Sequence, residues 1–243
     1  MQRHKMILSS EKFYTLFANF YRDYSHNRRD YISAVNKFIY TGVSSPKSMI
    51  DIGSGDGIRG KDIGDSLGVK RITLVDNSDG MIALAKKVQG SDVILADISD
   101  QNFQIDIKYD LVTVLWNVLG HVPLESRTTA LINISKLIND GGSIFIDVNN
   151  RYNASHYGII AVLMNILKDI FQPSKINGDF TCKILTPVGE IRTIGHIFNL
   201  FEIEKLFKTA NLKIEKRNII NYRSGKICKT FLGGQLVYKL SKS

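Results

Sequence analysis

The sequence predicts an α/β domain. It is a doubly wound, mostly parallel seven-stranded sheet, with an N-terminal helical lid and a small cap inserted after the fifth strand. Three observations predict it. Short apolar runs alternate with amphipathic segments from about residue 48 to residue 148. A glycine-rich loop, Asp51-Ile52-Gly53-Ser54-Gly55-Asp56-Gly57, follows the first of those runs. The 243 residues suffice for one such domain with a full core.

The elements follow in order. Residues 1–44 form the lid: Phe13, Phe17, Phe20, Tyr21 and Tyr24, then Tyr31, Val35 and Phe38, recur at helical spacing. They predict two short helices broken around Ser25-His26-Asn27. Residues 45–150 form the core. Its strands are Ser48–Ile52, Arg71–Val75, Asp92–Ala96, Tyr109–Leu115 and Ser143–Val148. Helices follow the glycine loop to Leu67 and span Ser78–Val88 and Glu125–Ile138, with a turn at Gly141-Gly142. Residues 151–198 form the cap, with an apolar helix over 155–171 and a hairpin over 179–198 around Thr186-Pro187-Val188-Gly189. Residues 199–243 add a helix, Leu200–Ala210, and strands Lys213–Asn221 and Thr230–Leu240. No long crossover separates those two strands, so they pair antiparallel. The hairpin and the N-terminal helices are expected to cover one edge.

Composition narrows the class. Hydrophobic residues are 44% and charged residues 23%, as in ordinary globular proteins. No apolar run approaches the roughly 18 residues of a transmembrane helix, and the N-terminal apolar stretch is too short for a signal-peptide core. The expectation is a cytoplasmic protein without a membrane partner, monomeric or homodimeric. Cys182 and Cys228 stand far apart without C-x-x-C partners, so no metal site is expected. The net charge of +9 raises a nucleic-acid partner. Yet no basic run of five occurs, and the excess gathers thinly in the last third, as at Lys213, Lys216, Arg217, Arg223, Lys226 and Lys229.

The glycine loop reads in two registers. Gly55-Asp56-Gly57-Ile58-Arg59-Gly60 satisfies the dinucleotide pattern, which cradles a pyrophosphate. Asp51 to Gly57 satisfies acidic-x-G-x-G-x-G. Asp51 at the strand end repels a pyrophosphate but attracts an ammonium or sulfonium. Asp76 ends the second strand, where a carboxylate accepts from ribose hydroxyls. Asp97 and Ile98, after the third, offer a carboxylate for an adenine amine and an apolar wall.

These residues resemble class I S-adenosylmethionine-dependent methyltransferases. Asp51–Gly57 is similar to their glycine motif, and Val75-Asp76-Asn77-Ser78-Asp79-Gly80-Met81 to their ribose motif, with Met81 placed against adenine. Ala96-Asp97-Ile98 resembles the adenine motif. Tyr109-Asp110-Leu111-Val112 and Asp140-Gly141-Gly142-Ser143-Ile144-Phe145 resemble the fourth and fifth strands. The resemblance covers about residues 45–150. It implies S-adenosyl-L-methionine as cofactor, held by Asp51, Gly53, Ser54, Gly55, Gly57, Asp76, Asn77, Met81, Asp97, Ile98, Leu115 and Trp116. The lid resembles a Tyr-x-x-x-Ala-x-x-Tyr pattern through Tyr14, Ala18 and Tyr21, which has Tyr21 capping the cofactor. Arg29 resembles an arginine that pairs with the cofactor carboxylate.

Asn117-Val118-Leu119-Gly120-His121 resembles the Asn-x-x-x-His of glycine N-methyltransferase and its relatives. His121 is thereby expected to position the acceptor, or to act as base for a hydroxyl, with Asn117 beside it. Arg151 is a candidate carboxylate clamp. Tyr14, His156, Tyr157 and His196 are candidates for the acceptor pocket. Asn/Asp-Pro-Pro-Tyr is absent after the fourth strand, and no cysteine stands in a strand-end motif. Both absences disfavour nucleic-acid base methylation. The expected function is methyl transfer to a nitrogen or oxygen of a small molecule. The rivals are an RNA or protein methyltransferase, an NAD-dependent oxidoreductase and a non-catalytic S-adenosylmethionine-binding protein.

Overall fold

The computed structural model describes residues 7–22, 28–186 and 189–243. The expected break at Ser25-His26-Asn27 and the hairpin tip Pro187-Val188 lie outside them. The lid and first half contain β1 (Ile7–Leu8), α1 (Ser10–Phe17), α2 (Arg29–Gly42), β2 (Ser48–Ile52), α3 (Ile58–Ser66), β3 (Arg71–Asp76), α4 (Asp79–Ala85) and β4 (Asp92–Leu95). After them come β5 (Tyr109–Val114), α5 (Val118–His121), α6 (Arg127–Lys136) and β6 (Ile138–Val148). The cap holds α7 (Ala154–Tyr157), α8 (Ile159–Phe171), β7 (Asp179–Thr186) and β8 (Gly189–His196). The chain finishes with α9 (Leu200–Thr209), β9 (Leu212–Ile220) and β10 (Gln235–Lys242).

The main sheet has seven strands in the order β4-β3-β2-β5-β6-β10-β9. Its first five strands are parallel, and β10 runs antiparallel to both β6 and β9. The chain moves outward from β2 to β4, then returns to β5. This reversal leaves a crevice beyond the carboxyl ends of β2 and β5, where ligands bind in such sheets. Asp51 of β2 stands in register with Leu74 of β3 and Thr113 of β5, so the three strands deliver their ends together.

Side-chain alternation builds two core layers. Ile50, Ile52, Val112, Val114, Ile144 and Ile146 face one way, onto Ala130, Leu131 and Ile134 of α6 and Ile203 and Phe207 of α9. Met49, Leu74, Leu111 and Phe145 face the other way, onto Tyr31, Val35 and Ile39 of α2 and Ile63 of α3. Burial on both faces explains why these strands read as near-continuous apolar runs.

The expected turn at Gly141-Gly142 lies inside a strand. β6 starts at Ile138, and its pairing with β5 jumps from Tyr109↔Ile138 to Leu111↔Ser143. Gly141, at φ +79°, absorbs this irregularity. The apolar 155–171 segment is two helices, because Gly158 takes φ +85° and ψ 151° between them. The last strand begins only at Gln235, after a 3-10 turn over Phe231–Gly233.

A second sheet, β1-β8-β7, joins lid to cap. The two-residue β1 was not legible in the sequence. It pairs parallel with β8 through Ile7↔Arg192 and Leu8↔Thr193. Phe13 and Phe17 of α1 pack on Ile191, with Cys182 and Ile184 alongside.

Candidate active site

The glycine loop curls between β2 and α3. Its positive φ angles fall on Gly53 (+68°), Gly55 (+57°) and Gly57 (+78°), which is the acidic-x-G-x-G-x-G register. Gly60 lies within α3, and a Cβ there would stand 2.6 Å from Asp51 Oδ2. A Cβ on Gly53 would stand 2.5 Å from Val118 Cγ2, and one on Gly55 3.2 Å from Tyr21 Oη. The backbone is therefore laid open for close approach.

Two cavities meet at this loop. The larger, about 410 Å³, is lined by Tyr14, Tyr21, Gly53, Gly55, Asp76, Asn77, Met81, Asp97, Ile98, Leu115, Trp116, Asn117, His121, His156 and Tyr157, among others. The smaller, about 280 Å³, is lined by Asp51, Ser54, Asp56 and Arg59, and shares Tyr21, Gly53, Leu115 and Trp116 with the first. Most of the residues singled out from sequence thus converge on one connected space. Tyr21 stands between its halves, with Phe17 at 6.1 Å and Trp116 at 5.7 Å between ring centroids.

The acids differ in their surroundings. Asp76 accepts from the Gly55 amide with Oδ2 and from the Ser78 amide with Oδ1, each at 2.9 Å. Burial pushes its pKa up to about 6, against the lowering effect of those amides. Asp51 is pushed up to about 6 by burial as well, opposed by the Thr113 hydroxyl donating at 2.6 Å and by the charge of Arg59. For Asp97, burial is outweighed by hydrogen bonds from Ser99 and from Asn77 Nδ2 (3.1 Å), which hold it below the ordinary carboxylate range.

Beyond β5 the backbone is strained. Trp116 and Asn117 both occupy the left-handed region, at φ +65° and +61°. Asp147 of β6 fixes that corner by accepting from the Trp116 amide and, at 2.6 Å, from the Tyr31 hydroxyl. Asn117 is fully engaged: its Oδ1 accepts from the Asn149 amide at 2.9 Å, and its Nδ2 donates to the His196 carbonyl at 3.2 Å. It braces the ends of β5, β6 and β8. His121 ends the short helix that follows. Its Nε2 lies 3.0 Å from the Tyr14 hydroxyl, and its Nδ1 is buried without a hydrogen-bond partner. Burial lowers its pKa to about 4, so the ring is neutral at pH 7.

Four expectations fail or change. Arg151 is buried and lines neither cavity. It pairs with Asp169 at 2.8 Å and Glu202 at 3.6 Å, so its charge is spent inside the cap and offers no carboxylate clamp. His196 also lies off both cavities, fully buried between Asp179 (Nδ1, 2.5 Å) and Glu202 (Nε2, 2.9 Å). Arg29 is exposed at the start of α2 and lines neither cavity. Its neighbour Arg28 lines the larger one, with its guanidinium 4.4 Å over the Tyr222 ring. Gly57 lines neither cavity and serves packing: a Cβ there would stand 2.6 Å from Leu74.

Sequence reasoning passed over several lining residues. Arg59 holds Asn36 Oδ1 with Nε and Nη2, while its Nη1 is buried without a hydrogen-bond partner. In the dinucleotide pattern it stands at an x position, which any residue satisfies. Phe180, Cys182 and Ile184 of β7 line the larger cavity, and their alternation in a predicted strand was the available signal. Tyr222 came from the loop after β9, where nothing in the sequence marked it.

The residues fit S-adenosylmethionine. The left-handed glycines open a cradle, and Ser54 Oγ and Arg59 Nη1 are buried polar atoms lacking partners beside it. Residues 49–142 match a family model described as a methyltransferase domain. No curated protein matches the chain. Among solved structures, an S-adenosylmethionine-dependent methyltransferase from Clostridium acetobutylicum shares 16% identity, with 96% of this chain and 98% of that one covered and a TM-score of 0.63. The DhpI–SAM–HEP complex shares 16% identity, with 99% of each chain covered and a TM-score of 0.69. The glycopeptide N-methyltransferase MtfA shares 10%, with 87% and 90% covered and a TM-score of 0.62. These likenesses carry the fold, and the family match carries the chemistry: residues 49–142 form a methyltransferase domain, whose cofactor is S-adenosylmethionine.

Proposed function

We propose that the chain methylates a nitrogen or oxygen of a small molecule. The carrying observation is the walled acceptor side of the larger cavity. Tyr14 of the lid and His121 of the core meet across it, and Phe180, Cys182 and Ile184 wall it. Arg28 is the one Lys or Arg among its described lining residues. A nucleic-acid strand requires a basic groove along its backbone, and this lining supplies a single cation among the described residues.

In this reading Asp76 takes the ribose hydroxyls, Asn77 and Asp97 the adenine amine, and Met81 and Ile98 the faces of the ring. Ser54 and Arg59 take the methionine carboxylate, Asp51 favours the ammonium side, and Tyr21 covers the junction. The bound cofactor supplies an electrophilic methyl group on a sulfonium. Aligning an acceptor with it is the main task, because orientation alone supplies roughly 7–11 kcal/mol. His121, neutral at pH 7, accepts the proton of a hydroxyl acceptor or orients an amine. Tyr14 holds the imidazole in place, as in glycine N-methyltransferase relatives the Asn-x-x-x-His pair helps position the acceptor.

The test is S-adenosylhomocysteine release from purified protein offered small amines, phenols and carboxylic acids, beside RNA and denatured protein. Release with small molecules alone supports the reading. Release with RNA or protein alone sinks it.

A further inference from the structure

Helix α8 presents an apolar face that nothing among the described residues covers. Of its 13 residues only Val162 is fully buried. The docked side is fixed: Asn165 donates to the Arg151 carbonyl at 3.5 Å, and Asp169 pairs with Arg151 and accepts from Tyr152. The opposite side carries Ile160, Leu163, Met164, Leu167 and Phe171, the i, i+3, i+4, i+7 spacing of one helical stripe. Ile160 is 74% exposed, Met164 67% and Phe171 76%. Ile159, Ile170 and Ile176 extend the same exposed apolar surface. Monomeric proteins rarely leave so continuous an apolar patch in water.

We infer that α8 is an interfacial helix that seats the protein on an anionic lipid surface. Charge selects the occupant. Lys168 and Lys175 are exposed beside the stripe. Asp169, the one acid between Tyr157 and Gly178, is turned inward and paired with Arg151. The chain as a whole carries +9. A second copy would bring two such charges together over a helix only about 20 Å long. An anionic surface is attracted by the same charges and takes up the same side chains. No described helix is long and apolar enough to cross a membrane, so α8 lies in the interface plane. Its predecessor α7 carries His156 and Tyr157 of the cavity wall, separated from α8 by Gly158 alone. Docking therefore sets the acceptor side next to the lipid.

Sedimentation of the full chain with vesicles tests this. Phosphatidylcholine mixed with phosphatidylglycerol is compared with phosphatidylcholine alone. The protein is expected to pellet with the anionic vesicles about tenfold more strongly. Leu163→Glu with Leu167→Glu, both exposed, should cut binding by about tenfold or more with an unchanged thermal melt. Lys168→Glu with Lys175→Glu should erase the preference for anionic vesicles. Wild-type protein that ignores both vesicles overturns the inference, as does binding unaffected by the leucine substitutions. A dimer in light scattering that those substitutions dissociate, without vesicle binding, overturns it in favour of a second copy.

Discussion

The Tyr14 hydroxyl lies 3.0 Å from His121 Nε2, joining lid and core across 107 residues of sequence. The two rings meet edge to face at 5.2 Å. The geometry separates two jobs. Tyr14 occupies one ring nitrogen, and Nδ1 remains for another partner. His121→Ala should lower kcat by about 10²–10⁴ for a hydroxyl acceptor, with S-adenosylhomocysteine affinity little changed. Tyr14→Phe should lower kcat less, because the imidazole stays but loses its anchor. Steady-state kinetics paired with calorimetry checks both. Because burial holds His121 near pKa 4, no rate loss from its protonation is expected around pH 6.5.

The acidic limb should instead come from the cofactor pocket. Asp51 and Asp76 have folded pKa values of about 6, above the ordinary carboxylate value of about 3.9. Protonation below pH 6 removes their attraction for the sulfonium and their full acceptor capacity for the ribose. S-adenosylmethionine affinity should fall by up to about tenfold per pH unit below 6. The effect on folding has the opposite sign. A carboxyl whose pKa is raised on folding binds its proton more tightly in the native state. Its unfavourable contribution therefore grows between pH 4 and 6 as the group ionises. Asp76→Asn should bind the cofactor poorly at pH 8 while the unliganded protein loses little thermal stability. Calorimetry and melts across pH 5–8 decide this.

The fold was legible because burial dictates it residue by residue. Ile50, Val112 and Ile144 had to be apolar, and their runs marked β2, β5 and β6. The proposed cofactor side was legible because the acids that line it, Asp51, Asp76 and Asp97, fall at or just after strand ends. The acceptor side was not. Arg151 and His196 have the right chemistry for a pocket, but tertiary partners decide where a charge is spent. Asp169, Asp179 and Glu202 lie too far away in sequence to be foreseen. Asn117 sat at the expected spacing, yet its amide is engaged at both ends by backbone.

Arg59 offers a test that separates the two ends of the cofactor. Its Nη1 is buried without a hydrogen-bond partner beside Asp51 and Ser54. A charged hydrogen bond to a carboxylate contributes about 1.5–3 kcal/mol. Arg59→Gln should weaken S-adenosylhomocysteine by roughly 10–150-fold. Methylthioadenosine lacks the amino-acid end, so its affinity should hardly move. Equal losses for both ligands would assign Arg59 to loop packing through Asn36.

A buried ion cluster ties cap to core. Arg127 of α6 and Arg151 each lie about 4% exposed, facing Asp179 and Glu202, and Asp169 and Glu202 respectively. His196 bridges Asp179 and Glu202 with both ring nitrogens. Two arginines and the His196 ring thus share three carboxylates. Removing one member strands the rest: Arg151→Ala leaves Asp169 and Glu202 without their 2.8 Å and 3.6 Å partner. Loss of one partner from a buried pair costs about 3–5 kcal/mol. Arg151→Ala should therefore lower stability by that order in denaturant melts. At a temperature where the variant is still folded, its acceptor KM should stay close to the wild-type value, since Arg151 lines neither cavity. A variant with unchanged stability but a strongly raised KM would return Arg151 to the acceptor pocket.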